Sequence, residues 1–144
     1  LGDVYKRQGP AICYEGLYGD FYGDFVRRGA QFMAIISNDG WWGDTPGYKH
    51  LFTISRLRAI EHRRAIARSA NTGMSGFISA RGDIGETLGW EKRGVISAAV
   101  PLNSELTFYT RYGDYLGRIA EYLTLLCVLY YIAYRVKKKN YLVK

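Results

Sequence analysis

An apolar segment near the C-terminus, residues 116–134, constrains the fold more than any other feature of the sequence. As one α-helix its 19 residues would be about 28 Å long, close to the hydrocarbon thickness of a bilayer. No charged residue occurs from Tyr122 to Tyr134, tyrosines cluster at the far end, and a basic tail follows. This combination predicts a transmembrane helix over 116–134 and a basic cytoplasmic tail over 135–144. A buried amphipathic helix is the alternative, because the uncharged part covers only 13 residues.

The positive charge of the chain is concentrated in that tail. The formal net charge is +7, and residues 135–144 contain five Lys or Arg and no acidic residue. Without them, 15 basic residues face 13 acidic ones. A charge confined to a short tail suits an anionic membrane surface, so we expect a membrane partner and no nucleic acid.

Cysteines and histidines are few. Cys13 and Cys127 lie in very different settings, which gives no sign of a disulfide framework. His50 and His62 share one predicted helix without a second pair of ligands nearby, so we interpret them as helix-surface or cap residues and expect no metal site.

The remaining chain alternates between strand and helix patterns. Residues 1–8 have no periodicity, and we interpret them as a non-native leader. Since no initiator methionine is present, we expect a piece truncated at its N-terminus. The predicted elements are a short helix over 21–28, a strand buried on both faces over 31–37, a long helix from Asp44 or Thr45 to about Ser69, two strands joined by a turn at 81–83, and a third strand over 94–102. This order predicts an α/β layered domain over 9–115.

Three charged residues of the predicted long helix are spaced so that they share one face. They are Arg58, Glu61 and Arg68, at positions i, i+3 and i+10. We interpret them as an ion network that braces the helix, a structural role rather than a catalytic one.

Four motifs carry a family resemblance: "ICYE", "ISNDGWWG", "RAIEHRRAIARSANTG" and "ARGDIGETLGW". In this order they resemble the carbon–nitrogen hydrolase (nitrilase) superfamily, and within it the membrane-bound apolipoprotein N-acyltransferases. The resemblance covers about residues 10 to 134. It implies a four-layer α-β-β-α sandwich, of which this chain holds the C-terminal part, followed by one transmembrane helix.

The resemblance implies that Cys13 is the catalytic nucleophile, at a strand-to-helix elbow where backbone N–H groups favour the thiolate. Glu15 matches a second, supporting catalytic glutamate, and Tyr14 matches a residue that lines the acyl or headgroup site. The glutamate base and the oxyanion-stabilising lysine of the family lie upstream, outside this chain. A packed core cysteine, a solvated acid and a plain packing tyrosine are the alternatives.

A second group of candidates follows the strand at 31–37. Asn38 and Asp39 lie at its carboxyl end, where α/β folds gather site residues, so both are candidate substrate-binding residues. Trp41 and Trp42 are large apolar groups in a polar loop, as expected of residues that meet lipid or an acyl chain. Turn formation by Asn-Asp-Gly and core packing of the tryptophans are the alternatives.

The activity that the resemblance implies is acyl transfer. An acyl chain would pass from a phospholipid to the cysteine as a thioester, and then to the N-terminal amine of a diacylglyceryl apolipoprotein, without metal or organic cofactor. The enzyme would lie in a bacterial inner membrane with its catalytic domain in the periplasm. A soluble nitrilase-type amidase and a non-catalytic membrane-tethered interaction domain remain alternatives.

Overall fold

The computed structural model describes residues 7–142, with side chains through residue 138. The chain divides into two compact units between Gly113 and Asp114. The proposed leader falls mostly on residues 1–6, which lie outside the described residues, while Gln8 already belongs to the first strand. The non-native origin of residues 1–8 therefore stays a prediction.

The first unit is built on a mixed five-stranded sheet in the order β1-β2-β3-β4-β5. Strands β1 to β3 run parallel, and β4 and β5 join antiparallel to them. Their bounds are β1 Gln8–Ile12, β2 Phe32–Ser37, β3 Ile66–Ala70, β4 Ser75–Ile78 and β5 Ile84–Leu88. Since parallel strands end at the same edge, the loops after β1, β2 and β3 lie together at the carboxyl edge of the sheet.

Two helices pack against one face of this sheet, α1 (Gly19–Arg27) and α2 (Pro46–His62). The apolar core between the two layers contains Ala11, Tyr22, Val26, Ala30, Met33, Ile35, Phe52, Ala59, Ile66 and Ile78. Burial of this apolar surface is the main favourable contribution to folding of the unit. The expected α/β class is confirmed.

The other face of the sheet is open within the described residues. Ile36, on the interior strand β2, is 62% exposed, and Ile12 on β1 is exposed to the same extent. The prediction that residues 31–37 are buried on both faces is therefore wrong for this structure. A continuous apolar strand predicts that both faces of the sheet are covered, but the described residues contain helices that cover only one face.

Helix α2 begins where the sequence predicts and ends earlier. The Thr45 side chain accepts a hydrogen bond from the Gly47 N–H, and Pro46 occupies the first turn. Arg63 then adopts φ +50°, a left-handed conformation that ends helices. The expected extension to Ser69 is wrong, because residues 66–70 form β3 and pair with β2.

Buried Arg64 supports the amino edge of the sheet. Its guanidinium donates to the carbonyls of Ala30 and Glu105 at 2.8 Å each, and to those of His62 and Arg63 at 3.2 Å each. Burial lowers the pKa of this guanidinium. Through these bonds Arg64 ties the end of α2 to the segments before β2 and before the next helix.

The later part of the first unit confirms one prediction and corrects another. The turn at 81–83 joins β4 and β5 as expected. Residues 94–102 do not form the expected third strand, because no neighbouring strand pairs with them and most of their side chains are exposed. The segment is instead fastened by Asn103, which donates from Nδ2 to the Arg63 carbonyl at 2.9 Å, and short helix α3 (Phe108–Tyr112) follows.

The second unit is the helix α4, Tyr115–Leu142. Residues Tyr115–Lys138 have a mean hydropathy of 1.4 in their most apolar part and are long enough to cross a membrane. The expected single apolar C-terminal helix is confirmed. It continues through the basic residues after Tyr134 rather than ending before them.

Candidate active site

Cys13 lies at a sharp turn between β1 and a 3-10 helix, Cys13–Leu17, which we call the first 3-10 turn. Its φ of +51° places a non-glycine residue in the left-handed region. Such a conformation costs about 1 kcal/mol or more, and strain of this kind clusters at functional sites, whereas the same conformation at Arg63 ends a helix. The thiol is half-buried at the carboxyl edge of the sheet.

Glu15 holds this turn from within. Its Oε2 accepts a hydrogen bond of 2.7 Å from the backbone N–H of Ile12, the residue before the cysteine. The carboxylate therefore joins the third residue of the turn to the end of β1. This contact fixes the chain on both sides of Cys13.

The strand register brings the loop after β2 beside Cys13. Ile12 is paired with Ile36, so Cys13 reaches the level of Ser37, where β2 ends. Residues Asp39–Trp42 then form a second 3-10 helix, which we call the Trp turn. The two predicted groups of site residues therefore meet at one edge of the sheet.

Aromatic side chains connect the two turns directly. The rings of Tyr14 and Trp42 have centroids 6.5 Å apart, and both residues are partly exposed, at 48% and 40%. Trp42 also packs closely on Gly47, where a Cβ would lie 2.5 Å from its ring. Trp41 points outward and is 82% exposed. Neither tryptophan is a core residue.

Asn38 and Asp39 have different surroundings. Exposed Asn38 caps the Trp turn, with its Oδ1 accepting from the Gly40 N–H at 3.3 Å. Asp39 is fully buried, and Arg68 Nη2 donates to its two carboxylate oxygens at 2.9 and 2.7 Å. The expectation that Asp39 binds substrate directly does not fit this burial, because Arg68 and Ser37 occupy its carboxylate.

Sequence reasoning missed the roles of Ser37 and Arg68. Ser37 Oγ donates to Asp39 Oδ1 at 2.5 Å, and both Ser37 and Arg68 are buried. The sequence pattern predicts a helix at Arg68, whereas this residue lies on β3 with its side chain buried on the covered face of the sheet. No local signal indicates the pair, because its partner Asp39 is 29 residues away.

The predicted ion network on the long helix is thus only partly present. Arg58 Nη1 lies 3.1 Å from Glu61 Oε2, as the spacing predicts. Arg68 belongs to a different element and pairs with Asp39 instead.

His62 was expected on the helix surface or at a cap, and it lies at the last residue of α2 but is fully buried. Its ring lies between the carbonyl of Gly19 (Nε2, 3.1 Å) and the hydroxyl of Thr110 (Nδ1, 2.9 Å). Burial, together with the nearby positive charge of Arg58, lowers its pKa to about 4. Since a carbonyl can only accept, Nε2 carries a proton, and the lowered pKa leaves Nδ1 unprotonated near neutral pH. Among residues 7–142, no group of three or more His, Cys, Asp or Glu is placed to hold a metal ion.

The sequence model of the carbon-nitrogen hydrolase family matches residues 2–106, most of the chain. The chain belongs to the carbon-nitrogen hydrolase family. Within this family it is similar to the apolipoprotein N-acyltransferase of Chlorobaculum tepidum, with 44% identity over 108 residues, 75% of this chain and 20% of that protein. It is also 42% identical to the apolipoprotein N-acyltransferase of Rhizobium meliloti, over 67% of this chain and 18% of that protein. The resemblance found in the motifs is confirmed.

Solved structures support the family fold. Nit3 of Saccharomyces cerevisiae, a member of the nitrilase superfamily, matches with a TM-score of 0.53 and 21% identity, over 60% of this chain and 34% of that protein. At this identity the match supports the fold alone. The chain spans about a fifth of the length of the N-acyltransferases it matches.

Proposed function

We propose that this chain is the C-terminal part of an apolipoprotein N-acyltransferase and carries its nucleophile, Cys13. The observation that carries the proposal is the strained, half-buried cysteine at the end of β1, in a chain 44% identical to one such enzyme. The glutamate base and the oxyanion lysine would come from residues upstream of this chain.

The reaction would proceed in two acyl transfers. The Cys13 thiolate attacks the acyl ester carbonyl of a phospholipid, a thioester forms, and the ester C–O bond breaks. The leaving oxygen takes a proton from the upstream acid/base and departs as lysophospholipid. The free α-amine of the diacylglyceryl-cysteine then attacks the thioester, forms an amide, and returns the thiol.

The surrounding residues fit this chemistry. Glu15 would keep the thiol in place through its bond to the Ile12 N–H. The exposed rings of Tyr14, Trp41 and Trp42 would contact the acyl chain or the lipid surface, since aromatic side chains favour the membrane interface. Asn38, exposed beside them, would contact the polar part of the substrate.

Location in the bacterial inner membrane follows from the same proposal. Helix α4 would span the bilayer, and its basic end would remain on the cytoplasmic side. The domain that contains Cys13 would then lie on the periplasmic face.

The test uses the complete enzyme in membranes. We expect Cys13→Ala to abolish acyl transfer while expression and membrane insertion stay unchanged, because the loss of one sulfur atom at a partly exposed turn removes little packing. Cys127→Ala, at an exposed position of α4, is the matched control and should retain activity. A buried structural cysteine would behave differently, with a loss of stability of about 1 kcal/mol and activity that follows protein level.

The covalent intermediate gives a second test. Incubation with labelled phospholipid and no acceptor should leave label on Cys13, and neutral hydroxylamine should release it as it releases thioesters. Label on the Cys13→Ala variant, or transfer by that variant, would contradict the mechanism.

An amidase is the second candidate, because the matched fold is shared with the nitrilase superfamily. Water would replace the amine as acyl acceptor. Washing membranes with alkaline carbonate separates the candidates: a peripheral amidase is stripped, whereas a protein anchored by α4 remains. A protein that stays in the membrane and takes up no label would instead support a non-catalytic tethered domain.

A further inference from the structure

We propose that Asp39 and Arg68 are positioning residues that anchor the Trp turn beside Cys13 and thereby set the affinity for the lipid acyl donor. This inference rests on the proposed function, since it assigns the pair a task in donor binding. Neither residue touches substrate in this account. They act through the backbone that they hold.

The pair is a buried ion pair in tight surroundings. The side chain of Arg68 is 2% exposed and that of Asp39 is 0% exposed, and Arg68 Nη2 lies 2.7 Å from Asp39 Oδ2. The Ser37 hydroxyl adds a third hydrogen bond to the same carboxylate. Gly73 lies against Asp39 so closely that a Cβ there would collide with the carboxylate. Hydrogen bonds of this kind help the attraction within a buried ion pair to offset the cost of removing both charges from water.

The position of the pair determines what it can control. Asp39 is the first residue of the Trp turn, and Arg68 lies on β3, with Nε donating to the Met74 carbonyl at 3.2 Å. The pair therefore fastens both the loop after β2 and the loop after β3 to the covered face of the sheet. Asp39 is the only buried residue of the Trp turn and holds its start, while the Thr45 hydroxyl donates to the Trp42 carbonyl at 2.7 Å at its end.

The cysteine has a separate support. Its turn is held by the Glu15 carboxylate, which does not involve Asp39 or Arg68. Loss of the ion pair should thus release the Trp turn, with the Trp42–Tyr14 contact, while the cysteine keeps its conformation. Donor binding would weaken, and the chemical step on bound donor would remain. In kinetic terms KM for phospholipid rises and kcat stays constant.

The experiment compares Asp39→Asn with the wild type in the complete enzyme. Asparagine keeps the shape of the side chain and removes the charge that holds Arg68. We expect KM for phospholipid to rise about tenfold with kcat within about twofold, the pattern of lost binding without lost chemistry. Alkylation of Cys13 by iodoacetamide should keep its wild-type rate. Arg64→Gln is the matched control, because it disturbs another buried arginine at the opposite edge of the sheet and should leave KM of the folded enzyme unchanged.

Ser37→Ala tests the positioning role of the ion pair if Asp39→Asn yields no folded protein. It removes one hydrogen bond to the carboxylate and leaves the ion pair, so KM should rise about threefold with kcat unchanged. Unchanged KM in the folded variants, a fall in kcat alone, or an equal KM change in Arg64→Gln would overturn the inference. Failure of the proposed function has a different signature, because the wild type would then form no thioester.

Discussion

Acidification should destabilise this protein through one buried imidazole. His62 closes the end of α2 and bridges the first residue of α1, Gly19, to Thr110 of α3. The neutral ring satisfies both contacts, donating from Nε2 and accepting on Nδ1. A proton added to Nδ1 would turn an acceptor into a second donor and place a positive charge near the guanidinium of Arg58.

The size of the effect follows from the pKa. The imidazole titrates near 6.5 in an unfolded chain and at about 4 in the fold, because burial and, next, the charge of Arg58 disfavour the protonated form. Between these two pKa values the imidazole is therefore protonated in the unfolded state and neutral in the folded state. The contribution of His62 is complete above pH 6.5 and is lost as the pH falls through about 4, by about 3 kcal/mol in total.

Thermal unfolding of the protein in detergent, between pH 7.5 and pH 4, measures this contribution. His62→Gln can still donate to the Gly19 carbonyl but does not titrate, so its melting temperature should start lower at pH 7.5 and decline less steeply. The matched control is His50→Gln, an exposed histidine of the same helix, which should follow the wild-type curve. Equal pH dependence in the wild type and His62→Gln would refute the argument.

Two further predictions concern α2 and the membrane. Thr45→Ala should lower the free energy of unfolding by about 1 kcal/mol, because the cap on Gly47 N–H is lost. Thr53→Ala is the control and should change this free energy little, since its exposed hydroxyl only bonds back to the Lys49 carbonyl of the same helix. Equal losses of the two variants in urea unfolding would argue against the cap. Reporter fusions after Lys144 and in the turn at 81–83 should report opposite sides of the membrane, and the same side for both would contradict the proposed topology.

The sequence predicted well those features that depend on local pattern. The capped start of α2 at Thr45 and Pro46 and the turn at 81–83 need only short-range chemistry, and both are present. The apolar helix after residue 114 is equally local, because hydropathy and length decide it. The motif around Cys13 indicated an elbow, and the structure contains one.

The errors arise where distant contacts decide. The charged run after Glu61 has a helical pattern, yet pairing with β2 makes residues 66–70 a strand. Consequently Arg68 meets Asp39, 29 residues away, and not its helical neighbours. His62 is buried because α1 and α3 cover it, which no feature of its own helix reveals.

The left-handed backbone at Cys13 has an evolutionary consequence. Glycine would adopt φ +51° without steric penalty, so the backbone at this elbow favours glycine over cysteine. Replacement by glycine would relieve about 1 kcal/mol of strain, offset by lost side-chain packing and by the greater freedom of glycine in the unfolded chain. Stability alone therefore gives little reason to keep a cysteine at position 13, and in the proposed mechanism its thiol is retained for chemistry.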